Sequence, residues 1–268
     1  MVYISCRKNF TSEIAYADKN CIRYIASPEM SNFSQLSAET FREQVRGKNI
    51  LLLVHGYNVK TKSVVEGYGQ VVGNLSHEGM LAPTLGGYDE VIGFLWPGGC
   101  TPIGFIWDAF RAGTAGKHLR QALGTLAETA ASVDLQVHSL GARVALEALR
   151  GGTVRVRNLL MAGPAVDNES IQIGETYETS CRACERVAVF YSNNDKVLRF
   201  AYRLGDAPEC DRALGACGPE EASKITPNTH LFDCSPFVHS HGGYRKAPEM
   251  YNFWRELLGD LSPRQRAA

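Results

Sequence analysis

The chain lacks a surplus of either charge: lysine and arginine number 28, aspartate and glutamate also 28, and the net charge is +0. Without a basic surplus there is no electrostatic draw toward nucleic acid or an anionic membrane, so neither is expected as a partner. It also lacks any window approaching the roughly 20 consecutive apolar residues that a membrane span requires. Met1 to Phe10 holds no apolar core of signal-peptide length, and a cytoplasmic protein is the expectation. No internal repeat or low-complexity block is visible.

What is lacking among the cysteines is a metal-binding pattern. Of the eight cysteines, Cys181 and Cys184 form C-x-x-C, while Cys210 and Cys217 follow at a wider spacing. Four thiolates hold zinc in ribbons and knuckles, but the second pair is too loosely spaced for either. Ordinary reduced cysteines, or one adventitious disulfide, are expected, with no metal. Cys6, Cys21, Cys100 and Cys234 have no partner that sequence identifies. A length of 268 residues allows one large core, so residues 1–268 are expected to form a single domain with a lid or insertion.

What the chain does have is an alternation of strand and helix patterns. Strands are expected at Val2 to Ser5, Cys21 to Ala26, Asn49 to His55, Val91 to Trp96, Val133 to Val137, Val156 to Met161 and Val187 to Tyr191. Helices are expected at Ser37 to Val45, with Ser37 as N-cap, and at Lys62 to Leu75, Ile106 to Ala130, Ala142 to Leu149 and Ser170 to Thr179. Lys196 to Arg203 and Tyr251 to Leu258 complete the set, the latter burying Phe253, Trp254 and Leu257. The run NILLLVH is apolar on both faces, which places it mid-sheet under helices on both sides. Alternation of this kind implies an α/β fold with a mostly parallel central sheet flanked by helices. From Arg203 to Pro236 glycines and prolines dissolve the pattern, and this stretch reads either as a lid or pocket rim or as a plain surface excursion.

One stretch carries chemistry. In VDLQVHSLGARVALEAL, Val133 to Leu149, a strand turns straight into a helix with Ser139 at the corner. A serine there has its hydroxyl clear of the sheet, and the backbone N–H of Leu140 faces the same space. A serine in such a loop is also an ordinary N-cap. A hydroxyl becomes a nucleophile only when a base takes its proton and a third group orients that base. Asp195, in the polar turn SNND after a buried strand, is the favoured acid; it would also cap the next helix, and Asp167 is its rival. His241, in HSHGGY, is the favoured base, and His239 competes. After LLLVHGYN, Gly56 lets Tyr57 or Asn58 turn an N–H toward Ser139, so Tyr57 and Leu140 are the candidate donors to an oxyanion. His138 reads as a structural hydrogen-bonding residue. Tyr57, Trp96 and Phe200 are read either as walls of an apolar pocket or as core.

V-H-S-L-G resembles the nucleophile elbow G-x-S-x-G of the alpha/beta-hydrolase fold, with Gly141 in the second glycine place and Val137 where glycine is usual. LLLVHGYNV, GFLWPGG, VHSLGARVAL, SNNDKVL and SHGGY follow in the order of that fold, from about Asn49 to Leu258. The set resembles the bacterial alpha/beta hydrolases of unknown function. The resemblance implies an eight-stranded-type fold with a serine triad, which Ser139, His241 and Asp195 would form here, and no cofactor; it does not supply a substrate, and a small-molecule ester is expected from the site itself. A carboxylic ester is the first expectation. Thioester, amide or lipid hydrolysis, acyl transfer, and a non-catalytic binding module remain alternatives, and no substrate-binding residue is assigned.

Overall fold

The structure, a computed structural model, describes residues 1–13, 15–17, 22–29, 32–81, 87–99, 105–202 and 212–259. Its strands are β1 (Val2–Ser5), β2 (Arg23–Glu29), β3 (Asn32–Leu36), β4 (Asn49–Val54), β5 (Glu90–Leu95), β6 (Ser132–His138), β7 (Val156–Ala162), β8 (Cys184–Tyr191) and β9 (Thr229–Asp233). They form one sheet of nine strands in the order β3-β2-β1-β5-β4-β6-β7-β8-β9. From β1 to β9 every neighbouring pair is parallel, and at the other edge the β1–β2 and β2–β3 pairs are antiparallel, so that β2 alone is reversed.

The apolar run of β4 sits at the centre of that order. Ile50, Leu52 and Val54 face one layer of core, while Leu51 and Leu53 face the other. The first layer is covered by α1 (Ala38–Val45), α3 (Phe105–Ala127) and α4 (Gly141–Leu149). The second is covered by α2 (Thr61–His77) and α7 (Pro248–Gly259). In α2 the buried Val64, Tyr68, Val71 and Leu75 recur at helical spacing, which marks one face for the sheet. Ser37 caps α1, its side chain accepting from Thr40 N. In α7, Trp254 and Leu257 are buried and Phe253 is half-buried. Two short helices remain, α5 (Glu178–Arg182) and α6 (Leu214–Cys217).

Three sequence expectations need correction. Ser170 to Thr179 is a series of turns, with helix only from Glu178. Gly174 lies at φ 92°, outside the helical region, and Gln172 bridges to Ile225 instead of continuing a helix. Lys196 to Arg203 forms a π-helical turn over Val197–Tyr202, not an ordinary α-helix. The stretch 203–236, read as patternless, carries α6 and the edge strand β9. Residues 203–211, with Cys210, lie outside the described residues, as do Cys21 and Cys100.

The described cysteines, Cys6, Cys181, Cys184, Cys217 and Cys234, are free thiols. Burial pushes Cys181 up to about 12 and Cys184 well above its ordinary value, so neither is a ready thiolate. Among the described residues no cluster of metal-ligating side chains occurs, and no helix is long and apolar enough to cross a membrane.

Candidate active site

Ser139 stands directly after β6 at φ 55°, in the left-handed region that side chains rarely enter. Its backbone is held there from three directions. Its N–H donates to Ala162 O at 3.1 Å, and its carbonyl accepts from Ala142 N at 3.0 Å and Ala165 N at 3.2 Å. Strain of this kind persists only where the surroundings over-determine it. The turn also needs two neighbours without side chains. A Cβ on Gly56 would lie 2.8 Å from Ser139 Cβ, and one on Gly141 would lie 2.7 Å from the His55 carbonyl oxygen. Val137 does not loosen the turn, because its side chain is fully buried on the α3–α4 face of the sheet.

The structure brings Ser139, His241 and Asp195 together. His241 Nε2 lies 2.8 Å from Ser139 Oγ, and His241 Nδ1 lies 2.7 Å from Asp195 Oδ2. A carboxylate only accepts, so the proton between them sits on Nδ1, and Nε2 is left to accept from the serine hydroxyl. Asp195 is fully buried, and its other oxygen accepts from Leu198 N at 3.1 Å. It therefore caps the π-helical turn with one oxygen while holding the imidazole with the other. The rivals are placed elsewhere. Asp167 lies 3.8 Å from Arg143 on α4, and His239 is an exposed neighbour of Asn194, 3.3 Å away.

His138 points to the opposite face of β6 from Val137, and its Nε2 lies 2.8 Å from the His241 carbonyl. A carbonyl cannot donate, so His138 carries its proton on Nε2 and pins the backbone of the loop that bears His241. Burial, then the neighbouring His241, holds the His138 ring neutral, with a pKa of about 3.

The turn after β4 is fixed from below by a residue that sequence reading missed. Arg7 is fully buried. It donates to Trp96 O at 3.0 Å, to Thr61 Oγ1 at 2.6 Å and to His55 Nε2 at 3.3 Å. Because arginine only donates, His55 Nε2 is the acceptor and Nδ1 carries the proton, which goes to Gly56 O at 2.8 Å. In a trans peptide the C=O and the next N–H point in opposite directions, so this bond also sets where Tyr57 N–H points. Trp96 is core: it is fully buried, stacks on His55 at 5.5 Å between ring centroids and donates to the His55 carbonyl. Tyr57 is half-buried against the core, and Phe200 is 63% exposed on the π-helical turn. Leu140 is buried at the N-cap of α4, where backbone N–H groups have no intrahelical acceptor.

Beside this cluster a cleft of about 540 Å³ opens between the ends of β4 and β6, the face of α2 and the turn after His241. No sequence signal marked it, because its walls come from four separated segments.

A left-handed serine at the carboxyl edge of a mostly parallel, helix-flanked sheet defines an alpha/beta hydrolase. Residues 32–240 match the family described as alpha/beta hydrolase of unknown function (DUF900), and the chain belongs to that family. No curated protein matches it. Solved structures similar to it include a predicted CIB-like hydrolase from Thermoplasma acidophilum, 14% identical, with a TM-score of 0.46 over 90% of this chain and 92% of the other. The Pyrococcus furiosus esterase Pf2001 is 13% identical, with a TM-score of 0.43 over 82% and 84%. The esterase Est2 of Thermogutta terrifontis is 13% identical, with a TM-score of 0.41 over 90% and 91%.

Proposed function

We propose that the protein is a serine hydrolase of carboxylic esters that works through an acyl-enzyme on Ser139. His241 Nε2 takes the hydroxyl proton as Oγ bonds to the ester carbonyl carbon. The carbonyl π electrons move to oxygen, and the Leu140 and Tyr57 N–H groups hold the resulting oxyanion. When the tetrahedral species collapses, the C–O bond to the alcohol breaks and His241 returns the proton to the leaving oxygen. Water then repeats the sequence, with His241 again as base, and releases the acid and the free serine. Asp195 keeps the imidazole in the tautomer that accepts at Nε2 and stabilises the imidazolium. One oxyanion donor contributes roughly 3 kcal/mol to lowering such a barrier.

The observation that carries this reading is the unbroken hydrogen-bond chain from Ser139 Oγ through His241 to the buried Asp195, beginning at a strained serine. The test is covalent labelling by a fluorophosphonate, read as a mass increase on the peptide containing Ser139, together with turnover of short p-nitrophenyl esters. Labelling abolished in Ser139→Ala and ester turnover in the unaltered protein are expected. Folded protein that resists the reagent would favour a binding module. Preference for acyl-CoA or amide substrates by several orders of magnitude would replace the ester assignment.

A further inference from the structure

The cleft beside Ser139 is one-signed. Gly56 and His138, beside Ser139, and Gly242, beside His241, line one side and Val64 and Tyr68 of α2 another, while among the described residues no aspartate or glutamate lines it. Among the described residues its one charged lining residue is Arg245. Burial, His241 and Arg245 itself, among other neighbours, keep the His138 ring uncharged, so the guanidinium supplies the cleft's charge.

Arg245 is exposed at the cleft, and its backbone is fixed there. Its backbone carbonyl accepts from Asn74 Nδ2 at 2.7 Å and from Tyr251 OH at 3.0 Å, which fixes the residue between α2 and α7. Its side chain lies against Gly67 of α2: a Cβ there would come within 3.2 Å of Nη1. Among the described residues no carboxylate lies within ion-pair distance of it. The hydroxyl-bearing Ser63 and the buried amide of Gln136 share the same cleft. A cation in a concave site without an acidic partner concentrates anions, and a guanidinium fork matches a carboxylate in two parallel hydrogen bonds.

We propose that this cleft binds a carboxylate carried by the ester substrate, paired with Arg245, so that the enzyme's substrates are half-esters of dicarboxylic acids or similar anionic esters. The inference rests on the hydrolase reading above and narrows its substrate class. Arg245 is a specificity-determining residue: it selects by charge and takes no part in bond making.

The test compares monomethyl adipate with its neutral counterpart dimethyl adipate. Binding of each to Ser139→Ala is measured by calorimetry, which needs no turnover, and hydrolysis of each is measured on the unaltered protein. Ser139→Ala is expected to bind the monoester at least tenfold more tightly, with the preference shrinking as salt rises. Adding Arg245→Gln removes the preference and adding Arg245→Lys keeps part of it. Equal affinity for the two esters, or a preference that survives Arg245→Gln, overturns the inference. A clear preference in binding with no hydrolysis of either ester overturns the hydrolase reading and leaves the anion site standing.

Discussion

Ser139 joins two demands that separate under mutation. Its hydroxyl serves the proposed chemistry, while its φ of 55° costs stability. Ser139→Ala and Ser139→Gly both remove the hydroxyl, and turnover should fall by several orders of magnitude in each. Only glycine relieves the left-handed strain, so Ser139→Gly should be more stable than Ser139→Ala by about 1 kcal/mol in urea titrations. Equal stability would show the turn to be unstrained. Arg7 makes the complementary case. Arg7→Met leaves the Trp96 carbonyl and Thr61 without their donor, and buried polar groups left unpaired cost roughly 1–3 kcal/mol each. Because those bonds also fix the turn that carries Gly56 and Tyr57, kcat should fall on the order of tenfold or more with KM little changed. Fluorophosphonate labelling rates against circular dichroism at the same temperature separate the two effects.

The elements differ in how much of them the sequence disclosed. β4 was legible because five successive buried residues, Ile50 to Val54, need cover on both faces, and only a central parallel strand supplies it. β6 was legible as a strand, yet its alternation misleads about exposure. Asp134 and Gln136 are buried polar groups, not a wet face. Asp134 is satisfied by both nitrogens of an Arg157 fork at 2.8 and 2.9 Å, by Asn158 and by Tyr88 OH. Tyr88 OH in turn accepts from Trp254 Nε1 at 2.8 Å, which ties α7 to the sheet. None of these partners lies near Asp134 in sequence, so no local pattern announces them. β9 was hidden for a related reason: five residues at a sheet edge, only one of them buried, carry little periodicity. Asp134→Ala leaves Arg157 as an uncompensated, largely buried cation and should cost about 3–5 kcal/mol. Trp254→Phe removes a single donor and should cost about 1 kcal/mol. Urea midpoints at constant m-value check both, and near-equal losses would refute the central place given to Asp134.

At the scale of the whole molecule, the three side chains that meet at the sheet edge were legible because chain order and strand ends placed them, and His138 was legible as a structural hydrogen-bonding residue, whereas Arg7 and the structural part of His55 were not. The two buried histidines beside the site set a dependence on acid. His55 is 5% exposed, and burial followed by the Arg7 charge lowers its pKa from 6.5 to about 3. His138 is lowered in the same direction, also to about 3, by burial and then by the neighbouring His241, so it contributes comparably in this window. Each ring is neutral when folded and takes up a proton when unfolded below about pH 6.5. The unfolded state then binds more protons, so stability rises with pH across this window and falls as pH drops from about 6.5 toward about 3. One such group contributes a slope of about 1.4 kcal/mol per pH unit once pH lies below its unfolded value. Between pH 6.5 and 5, before most carboxylates titrate, the slope of unfolding free energy should therefore climb toward about two protons, one from each ring. Urea titrations at half-unit pH steps measure it directly. The same titrations on His55→Asn, whose side chain carries no titrating group, should return a slope smaller by about one proton. An unchanged slope would mean that His55 is protonated in the folded protein, and with it that the Arg7–His55–Gly56 hydrogen-bond order has the wrong tautomer.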